Sequence, residues 1–182
     1  RAAGFVKQWI SEGVLKQDDE PAFYLYHQTF EISGDGGKPE TVTRRGFMGR
    51  VRLEPFGKGS IHPHEEKHPK AKGDLLKATE QNNSPIFGLY PDNDNAVIEC
   101  LETARANVTP IEATDDAGVV HTVWPITDSE AITKASQLLA DKPMYVADGH
   151  HRYETACDYR DFVAEQAGGI APDHPVNFVM TM

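Results

Sequence analysis

Residues 143–157, Pro-Met-Tyr-Val-Ala-Asp-Gly-His-His-Arg-Tyr-Glu-Thr-Ala-Cys, compress a strand, a turn and a helix start into one segment. Met144, Tyr145, Val146 and Ala147 are apolar and suit a short strand. Asp148-Gly149 supplies a turn, and the pattern from His150 predicts a helix to about Gln166, stopped by Gly168-Gly169. A helix start leaves backbone N–H groups without intrahelical partners, and the helix dipole makes that end attractive to anions. Gly149 admits a close approach of backbone to ligand, having no side chain in the way. Arg152 carries a planar fork that matches phosphate oxygens, and His150 and His151 add two imidazoles. The segment therefore predicts a phosphate site made of Gly149, His150, His151 and Arg152. The competing reading has Asp148 capping the helix while the basic side chains face water.

Working outward, Asp128 is placed to cap a helix through Leu139, with Ile132, Ala135, Leu138 and Leu139 on one face. Residues 109–114 and 119–124 flank Asp115-Asp116-Ala117-Gly118, a hairpin signal. Residues 95–105 carry Val97, Ile98, Leu101 and Ala104 at helical spacing. Residues 85–90 read as a buried strand and 73–80 as a short helix. Near the N-terminus, residues 22–30 and 41–53 read as strands of a hairpin joined through the Ser33–Gly37 loop. The opening helix places Phe5, Trp9 and Ile10 on one face. Residues 57–72 are polar, without a clear period, and form the longest candidate functional loop. Hairpins interspersed with helices predict an α+β fold rather than a doubly wound parallel sheet.

The chain has 182 residues, 39% hydrophobic and 25% charged, enough for one domain or one and a fraction. Its formal charge of −10 argues against nucleic acid as the main partner, since such binding rests on Lys and Arg neutralising phosphates. A small anionic ligand is still allowed, because a local basic pocket can sit in an acidic surface. No apolar run is long enough to span a bilayer, and no secretory signal is visible, so no membrane partner is expected. Cys100 and Cys157 lack metal or redox spacing and read as buried thiols in a reducing, cytoplasmic setting. The helical pattern at Arg1 and the apolar run 176–182 predict a fragment of a longer protein, truncated at both ends.

His64-Glu65-Glu66-Lys67-His68 matches H-E-x-x-H, which sets two zinc-binding histidines one helical turn apart. Pro63 and Pro69 oppose the helix that the motif needs. A looser role remains, with Glu65 or Glu66, together with His62, His64 or His68, holding Mg²⁺ beside a bound phosphate. Arg44, Arg45, Arg50 and Arg52 form a further basic feature, read as solvated strand charges. P-loop, dinucleotide-binding and hydrolase-elbow motifs are absent. Cys157 has no evident base to activate it.

The string Tyr145-Val146-Ala147-Asp148-Gly149-His150-His151-Arg152-Tyr153-Glu154-Thr155-Ala156 resembles the signature of a bacterial and archaeal family, domain of unknown function ten-fifteen. Phe47-Met48-Gly49-Arg50-Val51-Arg52-Leu53-Glu54-Pro55-Phe56, residues 63–72 and Ser84-Pro85-Ile86-Phe87-Gly88-Leu89-Tyr90 are similar to its other recurring segments. Members of that family are longer at both ends. The Gly149-His150-His151-Arg152 core also resembles the phosphate-binding motif of the ParB and sulfiredoxin superfamily, which includes kinases of free serine. That likeness implies a strand–turn–helix nucleotide site. Sulfiredoxins have a reactive cysteine where this chain has His150, so their thiol chemistry is not implied.

These readings lead to a nucleotide- or phosphate-binding enzyme that transfers a phosphoryl group to, or hydrolyses it from, a small polar metabolite. The expected cofactors are a nucleotide (ATP, ADP or CTP) and Mg²⁺, with Asp148, Glu65 or Glu66 as metal ligand or general base. The alternative is a non-catalytic sensor in which the same pocket switches partner contacts. A metal-dependent hydrolase built on residues 62–68 is the third reading.

Overall fold

Among the described residues, the α-helices and strands follow one another as α1 (Ala2–Ser11), β1 (Phe23–Ser33), β2 (Pro39–Arg52), β3 (Ile61–Pro63), α2 (Asp74–Thr79), β4 (Phe87–Leu89) and α3 (Ala96–Ala104), then β5 (Ile111–Thr114), β6 (Val120–Ile126), α4 (Ser129–Leu139), β7 (Met144–Asp148), α5 (His150–Ala167) and β8 (Phe178–Thr181). The computed structural model describes residues 1–55, 58–63 and 73–182, the side chain of Asp35 excepted. Strand orders are β5-β6-β1-β2-β8 in one sheet and β3-β7-β4 in the other. The result is a mixed α/β fold with antiparallel sheet pairs and helices, as the alternation of hairpins and helices predicts. The chain forms two compact units, residues 1–19, 50–91 and 143–182 in the first and 20–49 and 92–142 in the second.

In the second unit, β1 pairs antiparallel with β2 in a register running from Tyr24↔Met48 to Ser33↔Pro39. Its other edge pairs with β6, Leu25 opposite Trp124. Side chains alternate across a strand, so Leu25 and His27 share one face while Tyr26 takes the other. The first face meets α3, which packs against α4, and Leu25, Val97, Ile98, Leu101, Trp124, Ile126 and Ala135 are buried. His27 would place a polar ring in that layer without a partner. Glu102 supplies one, its carboxylate lying 2.7 Å from His27 Nε2 and 2.5 Å from Arg105 Nε. On the opposite face, Tyr26 Oη lies 2.6 Å from His121 Nδ1, and His121 Nε2 lies 3.0 Å from Asp115. Asp115 also accepts from the backbone N–H groups of Ala117 and Val119, closing the β5–β6 turn at the predicted place. These bonds hold its carboxyl below the usual carboxylate range, His121 contributing most.

The first unit has its core at Leu53, Ile61, Ile86, Val146, Tyr153, Ala156 and Val179. Here β7 is the central strand of a three-stranded sheet, antiparallel to β4 and parallel to β3. The parallel β3 corrects the expectation of loop throughout 57–72. Three residues are too few to show a period, and Ile61 is drawn into the sheet by the core beneath it. The strand expected at 85–90 shortens to three residues, with Ile86 fully buried and Leu89 exposed. The apolar face of α1 remains outside: Phe5, Trp9 and Ile10 are exposed, with Phe5 and Trp9 ring centroids 5.9 Å apart. No helix among the described residues is long and apolar enough to cross a membrane.

Candidate functional site at the β7–α5 turn

The segment 143–157 folds as its residues predict. Strand β7 ends at Asp148, Gly149 turns the chain with φ 93°, and α5 begins at His150. Its first backbone bond runs from Tyr153 N–H to the Gly149 carbonyl at 3.0 Å. A glycine is needed here for two reasons. The positive φ disfavours any side chain, and a Cβ built on Gly149 would lie 3.0 Å from the Arg152 guanidinium.

Arg152 folds back over this turn. Its Nη1 donates to Ser84 Oγ at 2.8 Å and to the Pro85 carbonyl, and its Nη2 donates to Asp148 at 2.5 Å. Asp148 therefore answers the guanidinium of α5, and the helix takes Gly149 as its cap residue. This corrects the picture of Asp148 as a helix cap with Arg152 facing water. The cation is held at the turn by three protein acceptors, so an anion there would meet its charge more than its whole fork. His150 is buried at 5% exposure, whereas His151 is partly exposed with its Nδ1 3.9 Å from the Glu154 carboxylate. The turn thus gathers Asp148, Gly149, His150, His151 and Arg152 within one strand end and one helical turn.

The other predicted site residues, His64, Glu65, Glu66 and His68, lie outside the described residues. Among the described residues no group of three or more His, Cys, Asp or Glu side chains is arranged to hold a metal ion. His62, on β3, is paired with Tyr145 of β7, their ring centroids 5.4 Å apart.

One polar knot escaped the sequence reading. Tyr153 Oη accepts from the Glu54 N–H at 2.9 Å and donates to the Glu54 carbonyl at 3.1 Å. Cys157 Sγ lies 3.7 Å from the same carbonyl, and Arg160 donates to the Leu53 carbonyl at 3.2 Å. Burial pushes the Tyr153 phenol up to about 12 and the Cys157 thiol up to about 11. Cys157 is thus a neutral packing thiol, in line with its lack of an activating base. The only sequence signal for the knot is the spacing of Tyr153, Cys157 and Arg160, which puts them on one face of α5.

In the second unit, a cavity of about 450 Å³ opens beside the β6–α4 junction, lined by Ala104, Val108, Ile126, Thr127, Asp128 and Ser129 among others. The predicted cap is in place there: Asp128 accepts from Glu130 N–H at 2.9 Å and from Ala131 N–H at 3.1 Å.

Neither a curated protein nor a solved structure matches this chain. A family model matches it over residues 1–182. With the recurring segments around β2, β4 and the β7–α5 turn all inside that match, the chain belongs to the family described as Protein of unknown function (DUF1015).

Proposed function

We propose that the chain is a nucleotide- or phosphate-binding enzyme that moves a phosphoryl group between a nucleotide and a small polar metabolite or water. The observation that carries this reading is the glycine turn at the start of an 18-residue helix, with the Arg152 cation held across it. Backbone dipoles and a fixed guanidinium attract the same oxyanion, and a positioned cation needs no reorganisation as negative charge develops. His151, partly exposed in the first turn, is the side chain placed to donate to a phosphate oxygen. Asp148 remains exposed enough to take Mg²⁺ or a proton, once a ligand competes for Arg152. In this reading ATP, ADP or CTP with Mg²⁺ is the cofactor. The same turn would equally serve a sensor that binds and does not turn over.

Calorimetric titration with each nucleotide and Mg²⁺ tests the reading. Binding is expected, weakened at least tenfold in His151→Ala and lost in Arg152→Ala. Because Arg152 also holds Ser84 and Pro85, the His151 variant carries the test if the Arg152 variant unfolds. Unchanged affinity in a folded His151→Ala protein, or no binding of any nucleotide, overturns it. Release of labelled phosphate separates an enzyme from a sensor.

A further inference from the structure

The four arginines of β2 have different surroundings. Arg45 reaches Glu99 at 3.2 Å and Glu102 at 3.7 Å. Arg44 donates to Gln28 at 3.4 Å and lies 5.6 Å from the Phe30 ring centroid. Arg50 and Arg52, two residues apart and so on one face of the strand, share a single ring instead. Each guanidinium carbon lies 4.6 Å from the centroid of Phe178, the first residue of β8. The two carbons are therefore no farther apart than twice that distance. Arg52 also donates to the Pro172 carbonyl at 2.8 Å, a bond that fixes its side chain. Both arginines are exposed, and among the described residues neither forms an ion pair, Asp173 beside Pro172 included.

Two neighbouring cations without a carboxylate partner among the described residues stand out in a chain with 28 acidic and 18 basic side chains. Their repulsion through water is modest at this separation, and attraction of each to the ring offsets it. The ring also orders both side chains before any ligand arrives, which lowers the entropy lost on binding. A single carboxylate is answered by one guanidinium fork. A phosphate group carries nearly two charges at neutral pH and three acceptor oxygens, which suits two forks. We propose that Arg50, Phe178 and Arg52 form a binding site for a phosphate dianion, free or as the monoester of a small metabolite. The site shares no residue with the β7–α5 turn and stands whether or not that turn binds nucleotide.

Side-chain Nε–H resonances of Arg50 and Arg52 in the labelled full chain give a site-resolved test. Inorganic phosphate, glycerol phosphate and acetate are titrated separately at constant ionic strength maintained with chloride. Saturable shifts of both resonances are expected with phosphate, weakened at least fivefold at Arg52 in Arg50→Ala and also in Phe178→Leu. His151→Ala leaves the midpoint unchanged, separating this site from the turn. Saturation by inorganic phosphate alone marks the free ion as the ligand, and saturation by both phosphates admits the monoester. Shifts that track chloride, that acetate reproduces with the same midpoint, or that keep an unchanged midpoint at Arg52 in Arg50→Ala overturn the proposal.

Discussion

Gly149 shows how one missing side chain positions a charge. Its φ of 93° and the guanidinium packed against its α-carbon both exclude a Cβ. Gly149→Ala is expected to destabilise the protein by about 1–3 kcal/mol, read as a lower urea midpoint, since backbone strain and displacement of Arg152 act together. An unchanged midpoint would show that the turn is not under that constraint. Tyr153 and Cys157 carry a second residue-scale consequence. The Cys157 thiol rises from its ordinary 9.0 to about 11, and the Tyr153 phenol from 10.0 to about 12. A group whose native value is raised contributes stability fully present below its unfolded value and lost as pH climbs through the native one. Melting temperature should therefore fall between pH 9 and pH 11, and Cys157→Ala should flatten the lower part of that decline. At pH 8 the thiolate fraction of Cys157 should be about a hundredfold below that of an ordinary cysteine, measured as slow alkylation in the native protein.

At the scale of elements, the α4 cap and the β5–β6 turn were readable from the chain because their physics is local. Asp128 precedes an apolar helical stripe, and its carboxylate accepts from two N–H groups of α4. Asp128→Ala should cost about 0.5–2 kcal/mol in urea denaturation, with rapid amide exchange concentrated in the first turn of α4. Exchange unchanged in that turn would count against the cap. The β5–β6 hairpin was equally legible from Asp115 to Gly118, whose Asx-type bonds need only neighbouring backbone. Strand β3 was not legible: its three residues owe their conformation to β7, where Ile61 pairs with Met144 far along the sequence. The exposure of α1's apolar face was not legible either, for a related reason. A helical stripe predicts helix, but its burial depends on what packs against it.

Across the whole molecule, burial separates the residues that hold each unit from those available for chemistry. Leu101 is fully buried in the second unit, and Leu101→Ala should cost about 2–5 kcal/mol. Hydrogen exchange should then accelerate in β1, β6 and α3, and a smaller loss without such acceleration would show that the cavity collapses. Composition, the strand–turn–helix at 143–157, the glycine within it and the main helices were determined by the sequence itself, because propensity, capping and periodicity act over a few residues. The partners of each side chain were decided only by tertiary structure. Arg152 looked open to ligand, yet Ser84 and Pro85 come to meet it, and Glu54 is clasped by Tyr153 from a distant helix. Arg50 and Arg52 looked like ordinary solvated charges until the fold brought one ring, Phe178, against both. Such contacts depend on which segments the fold brings together, and no local pattern encodes that choice.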